Sequence, residues 1–209
     1  MNRLFAYLHR KSREKKYWLF EQLLRPAPAT RILNVGASGR SAGLADQFEA
    51  FYPHPDRVVG GGLVAADVFD YAKSFPPARA VVFDGCALPF ADQSFDIVYS
   101  NAVLEHLPSW EAQQRFAGEV RRVGCAWFIT TPNFWFPIET HYHLPLVQFL
   151  PTQWQQGLAR RLGKTPYPPL RLLSRRELRR LFPESQVFGC RVTLYPETLV
   201  AVGGRGRYS

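Results

Sequence analysis

Residues 31–48, RILNVGASGRSAGLADQF, pass from an apolar alternation through Gly36, Gly39 and Gly43 into what reads as the opening turns of a helix. A strand that ends in a glycine turn and opens a helix offers backbone N–H groups and the positive end of a helix dipole, which suits a polar or anionic, nucleotide-like ligand. The glycine spacing departs from GxGxxG, so a dinucleotide pyrophosphate is not the expected occupant. A second group of reactive side chains is His106 in LEH, together with Glu139, His141, Tyr142 and His143 in FPIETHYHLP. Imidazole changes charge near neutral pH, so His106, His141 and His143 are the candidate general bases for an acceptor that must lose a proton. The H-x-H pair has no clear third ligand beyond Glu139, and no metal is assigned. Cys86, Cys125 and Cys190 lie far apart and never form CxxC, which points to neither a disulfide framework nor a zinc site. A reducing, cytoplasmic setting is the expectation.

These residues need a scaffold, and 209 residues with 46% hydrophobic content can bury one substantial core. One domain over 1–209 is expected, with a basic helical segment at 1–28 and an aromatic and basic insert at 134–173. Near-continuous apolar runs predict strands at Arg31–Val35, Arg57–Val59, Ala80–Phe83, Phe95–Ser100 and Ala126–Thr130. Helices are predicted at Lys15–Leu24, where Trp18, Leu19, Leu23 and Leu24 share a face, and at Ser41–Phe51, Val68–Ser74 and Trp110–Val123. The alternation is that of βαβ units and hence of a parallel sheet. Near the end, Ser174 and Glu177 stand at capping-box spacing before a helix, followed by two strands that suit an edge hairpin. No apolar run is long enough to span a membrane and no secretory leader is read. The net charge of +9 is concentrated in the N-terminal segment and in residues 160–180. A solvated basic face accounts for it, as does an anionic partner.

Val81–Leu107, VVFDGCALPFADQSFDIVYSNAVLEHL, resembles the second half of the methyltransferase type 11 pattern, and RILNVGASG resembles motif I of class I S-adenosylmethionine-dependent methyltransferases. The resemblance covers most of Arg31–Asn133. It implies an α/β Rossmann-like methyltransferase fold: a mostly parallel seven-stranded sheet, helices on both faces, and an antiparallel C-terminal edge hairpin. It implies S-adenosyl-L-methionine as cofactor and methyl transfer as the activity. The loop residues Asn34, Gly36, Ala37, Ser38 and Gly39 would then approach the ribose and amino-acid parts of the cofactor. Asp84 would accept a hydrogen bond from the adenine amino group, with Gly85, Cys86 and Ala87 lining the base. Gly62, Ser100 and Asn101 would border the cofactor from the carboxyl ends of strands two and four, and His106 stands where the family often carries a histidine.

Two positions depart from the family pattern. Asn34 stands where motif I carries an acid, and Gly60, Gly61 and Gly62 stand where strand two normally ends in an acid that accepts both ribose hydroxyls. Loss of such an acceptor costs about 1.5–3 kcal/mol of binding, roughly ten- to a hundredfold. Asp67 either reaches back to the ribose or caps the next helix. Phe134, Trp135, Phe136, Tyr142, Phe149 and Trp154 either wall an apolar acceptor site or are plain core. With the neighbouring basic residues they suit a small-molecule or lipid-like acceptor and peripheral contact with an anionic membrane. A nucleic-acid substrate is disfavoured, because strand four ends in SNAV and no RNA-binding module is appended. A non-catalytic binding subunit on the same fold is the alternative that Asn34 and the three glycines suggest.

Overall fold

The computed structural model describes residues 3–39, 47–139, 141–165 and 168–204. In chain order the elements are α1 (Arg3–Leu24), β1 (Ile32–Val35), α2 (Phe48–Phe51), β2 (Val58–Gly62), α3 (Ala65–Ser74), β3 (Arg79–Val82), β4 (Phe95–Asn101), α4 (Trp110–Val123), β5 (Gly124–Pro132), β6 (Ile138–Glu139), β7 (Leu144–Pro145), α5 (Thr152–Arg161), α6 (Arg175–Leu181), β8 (Ser185–Cys190) and β9 (Thr198–Gly204). Seven strands form one sheet in the order β3, β2, β1, β4, β5, β9, β8. The first five are parallel, and β9 runs antiparallel between β5 and β8. The expected C-terminal hairpin therefore closes one edge of the sheet.

The central strands are apolar on both faces because each face carries helices. Along β1, Leu33 and Val35 enter a layer built with Phe116 and Val120 of α4 and with Leu178 and Leu181 of α6. Ile32 points the other way, into a layer with Phe20 and Leu24 of α1, Phe48 of α2 and Tyr71 of α3. This is the period-two alternation of a strand buried twice. The α4 bounds agree with the sequence reading, its N-terminus held by Ser109 Oγ accepting from the Ala112 amide. The expected capping box is also present, with Ser174 and Glu177 satisfying each other's amides ahead of α6.

Three local readings are corrected. Helix α1 begins at Arg3, twelve residues before the predicted Lys15, and its fully buried stripe is Lys16, Phe20 and Leu24 at i, i+4, i+8. Trp18, predicted on the buried face, is exposed, while Leu19 and Leu23 only flank the core. Strand β2 runs through Gly60, Gly61 and Gly62 instead of stopping at Val59. Of the helix expected over Ser41–Phe51, only the turn Phe48–Phe51 is seen, and residues 40–46, with Gly43, lie outside the described residues.

Candidate functional site

The parallel strands place all their carboxyl ends on one side, where open α/β sheets bind ligands. Two cavities lie there and share Arg13, Asn101 and Ala102 as a common wall. The smaller, about 180 Å³, is framed by the ends of β1 and β4 and also touches Asn34, Gly36, Gln47, Phe48 and Tyr99. The larger, about 410 Å³, extends over the ends of β4 and β5 and is walled by α1, by the insert through Phe136, Ile138, His141 and His143, and by Glu197.

Under the smaller cavity, Asn34 Nδ2 donates to Glu49 Oε1 at 2.7 Å and Tyr71 Oη donates to the same oxygen at 2.8 Å. Burial pushes the Glu49 carboxyl above its ordinary range, against the pull of both donors. The Tyr71 ring reaches this position across β2, where a Cβ on Gly60 would fall 2.3 Å from the ring. Gln47 Nε2, at the cavity wall, is buried without a hydrogen-bond partner among the described residues.

Between the two cavities, Lys16 Nζ donates to Asn101 Oδ1 at 3.0 Å, an oxygen that also accepts from Thr130 Oγ1 at 2.8 Å. Burial, with Arg13 adding repulsion, pushes the Lys16 ammonium down to about 8. An amine poised there exchanges its proton near neutral pH.

At the far wall of the larger cavity, the turn Leu104–His106 brings Glu105 and His106 against His141 of the insert. Their ligating atoms all lie within 4.8 Å of one another, and the rings of His106 and His141 stand edge to face at 5.2 Å. Glu105 is fully buried, and that burial pushes its carboxyl up to about 7. Its Oε2 accepts from Thr131 Oγ1 at 3.0 Å, while Oε1 has no hydrogen-bond partner among the described residues. Burial lowers His106. His141 Nδ1 lies 2.7 Å from Glu139 Oε1, and Glu139 Oε2 accepts the amides of His141 and Tyr142 at 2.8 and 2.6 Å. Burial raises the Glu139 carboxyl, but these bonds outweigh it and hold the group below its ordinary value.

Comparison with known proteins gives this arrangement a family setting. Residues 42–125 match the family model described as a methyltransferase domain. A solved S-adenosylmethionine-dependent methyltransferase from Methanosarcina mazei superposes with a TM-score of 0.61 at 14% identity, covering 89% of this chain and 96% of that one. The chain has a class I methyltransferase fold. Geranyl diphosphate C-methyltransferase from Streptomyces coelicolor, solved with Mg2+, geranyl diphosphate and S-adenosyl-L-homocysteine, superposes with a TM-score of 0.60 at 13% identity over 92% of this chain and 78% of that one. An uncharacterised protein of Mycobacterium tuberculosis is 26% identical over 130 residues, 61% of this chain, and the match spans only 44% of that relative's length.

On this methyltransferase fold the residues singled out in the sequence fall into two sets. Asn34, Gly36 and Asn101 line the smaller cavity, and Asn101, His141 and His143 line the larger, with His106 behind His141. The second set serves the scaffold. Ser100 is buried, its Oγ donating to the Val35 carbonyl at 2.9 Å. The amides of Gly36 and Ala37 both donate to the Gly61 carbonyl, and that of Gly39 donates to the Asp67 carbonyl at 3.3 Å. The amides expected to cradle a ligand thus tie the loop, with Ser38 in it, to β2 and α3. Gly36 itself adopts φ +90°, and a Cβ there would lie 2.2 Å from Val103 Cγ2.

Asp84 is exposed at the end of β3, its Oδ1 accepting from the Cys86 amide at 2.8 Å in a turn that includes Gly85 and closes at Ala87. Gly62, at the neighbouring strand end, has among the described residues only Gly36 Cα within 4 Å of a would-be Cβ, at 3.8 Å. Asp67 sits inside the first turn of α3, whose N-cap is Val64, so it is not that helix's cap. Of the insert's aromatic residues, Phe136 alone among the described ones lines the larger cavity. Tyr142 is buried in a small cluster with Val147 and Ala159, whereas Trp135, Phe149 and Trp154 are exposed.

The sequence reading missed Arg13, Lys16, Gln47, Glu105 and Thr131. For Lys16 and Arg13 a signal existed: Lys16 keeps i, i+4, i+8 register with Phe20 and Leu24, and Arg13 lies seven residues before Phe20 on the same face.

Proposed function

We propose that the chain is an S-adenosylmethionine-dependent methyltransferase whose cofactor places its amino-acid end in the smaller cavity and whose acceptor occupies the larger one. The observation that carries this reading is the shared wall of the two cavities at Arg13, Asn101 and Ala102. The residues present fit the cofactor. Arg13 and Gln47 Nε2, which has no hydrogen-bond partner among the described residues, would be donors for its carboxylate, and Asp84 with the turn Gly85–Ala87 would take the purine. Leu63, exposed just past β2, offers the base an apolar face. The bound cofactor supplies a methyl group already activated on sulfur.

What the chain supplies is alignment of the acceptor and exclusion of water. Lys16 Nζ, on the wall of the larger cavity and depressed to about 8, takes up in its neutral form, above about pH 8, the proton that a hydroxyl or amine acceptor sheds. His141 and His143 flank the acceptor from the insert. Calorimetric titration with S-adenosylmethionine and S-adenosylhomocysteine tests the reading. Saturable binding that weakens at least about tenfold in Arg13→Ala supports it, and absence of binding by folded protein overturns it.

The composition of the insert that helps wall the larger cavity supports one acceptor class. Trp135, Leu146, Phe149, Leu150 and Trp154 of the insert are exposed, as are Arg160 and Arg161 later in the same segment. An apolar face with a basic border suits a lipid-like acceptor presented at an anionic membrane surface. Among the described residues no helix is long and apolar enough to cross a membrane, so the contact would be peripheral. Co-sedimentation with anionic but not neutral vesicles, lost in Trp135→Ser with Trp154→Ser, is the expected result. Equal behaviour with both vesicle types leaves a small soluble acceptor as the substrate.

A further inference from the structure

We infer that Glu105, His106 and His141 form a binding site for one divalent transition-metal ion at the wall of the larger cavity. The three ligating atoms converge within 4.8 Å, and a small closure brings them to the roughly 2.0–2.2 Å that nitrogen and carboxylate ligands take around such an ion. Two imidazoles and a carboxylate suit a borderline cation of the zinc, cobalt or iron(II) kind better than magnesium or calcium, which favour all-oxygen sites.

The decisive observation is Glu105 Oε1. The side chain is fully buried, its other oxygen is anchored on Thr131, and Oε1, beside two histidines, has no hydrogen-bond partner among the described residues. A buried carboxylate oxygen without a donor is a costly arrangement, and a cation resolves it. The surrounding bonds prepare the ligands independently. Glu139 grips His141 Nδ1, which directs Nε2 as the ligating nitrogen, and Glu139 is itself fixed by two backbone amides. A carboxylate behind a ligating histidine is a recurrent device of metal sites.

The turn carrying the other two ligands is likewise held, by the Arg171 amide on the Glu105 carbonyl and by Gln113 Nε2 on the Leu104 carbonyl. Because Glu105 and His141 line the larger cavity, the ion's remaining positions face the acceptor. Resting on the methyltransferase reading, the site would seat an acceptor that offers an oxygen to the metal.

Of the H-x-H pair only His141 belongs to the trio; its two partners, Glu105 and His106, come from the strand-four turn 36 and 35 residues upstream.

The test is titration of chelator-treated full-length protein with Co2+, followed by calorimetry and by the visible ligand-field bands of the bound ion. One Co2+ per chain is expected, displaced by Zn2+. Glu105→Gln, His106→Ala and His141→Ala should each weaken it at least about tenfold, the scale on which metal sites respond to altered ligation. His54→Ala, at the opposite end of the sheet, should leave it unchanged, and circular dichroism verifies that each variant is folded. Folded wild-type protein that takes up no Co2+, or uptake that survives both histidine substitutions, overturns the site. Titration of the same samples with S-adenosylhomocysteine separates the two readings: its binding without Co2+ uptake removes the metal site alone, and Co2+ uptake without its binding removes the methyltransferase reading alone.

Discussion

Asn34 Nδ2 and Glu49 Oε1 are 2.7 Å apart in the buried layer beneath the smaller cavity. The strand residue that the family makes acidic is here an amide, and the carboxylate it meets comes from α2 instead. Exchanging the amide for an acid would set two carboxyl groups against each other. Asn34→Asp should lower stability by about 2 kcal/mol or more at pH 7, because one of the pair must hold a proton. A carboxyl raised in the folded state weakens the fold as pH climbs past its unfolded value, so the loss should shrink toward pH 5. Urea unfolding at both pH values measures it; equal losses at both would refute the pairing.

Gly60 is required by the Tyr71 ring that crosses it, with a Cβ contact of 2.3 Å. Gly60→Ala should cost roughly 1–3 kcal/mol, the usual range for overpacking a filled core. Gly62→Ala on the same strand meets only ordinary van der Waals contact, 3.8 Å from Gly36 Cα, and should be close to neutral. Thermal melts of the two variants give the comparison, and a tie would show that β2 yields at Gly60.

Gly62 ends β2 where the ribose acid is missing, with room for a side chain. Gly62→Asp should therefore tighten S-adenosylmethionine by roughly ten- to a hundredfold, corresponding to about 1.5–3 kcal/mol for a charged hydrogen bond. Calorimetry on the variant decides. Unchanged affinity would mean that the ribose lies elsewhere.

Lys16 opposes folding at neutral pH. Its ammonium falls from 10.5 to about 8, mainly through burial, while Arg13 repels it and Cys190, Glu105 and Glu197 partly compensate. That difference corresponds to about 3 kcal/mol. Below about pH 8 both folded and unfolded chains hold the proton and the penalty is complete. Between about 8 and 10.5 only the unfolded chain holds it, so stability rises with pH in that window. Lys16→Met should be more stable than wild type at pH 7, should lose the alkaline rise, and should lose methyl transfer while retaining cofactor binding. A variant with wild-type turnover would remove Lys16 from the proton transfer.

Much of the frame was legible from local pattern. Near-continuous apolar runs announced β1, β4 and β5, since a strand covered on both faces needs apolar residues at most positions. The Ser174–Glu177 pair announced the start of α6, because capping is a contact within a few residues. Strand β2 was cut short because three glycines read as a turn. What keeps them extended is Tyr71 above Gly60 and the ladder to Val81 and Val82, both distant in sequence.

The residues themselves determined the alternation of strand and helix, the family pattern around Asp84 and the histidines available for chemistry, all of which depend on order along the chain. Only the tertiary structure decided that the loop amides of Gly36, Ala37 and Gly39 serve β2 and α3, that Lys16 turns from a basic surface into a cavity wall, and that Glu105 and His106 meet His141. Those outcomes depend on which segments the sheet order brings side by side and on how deeply each charge is buried, quantities that no window of neighbouring residues contains.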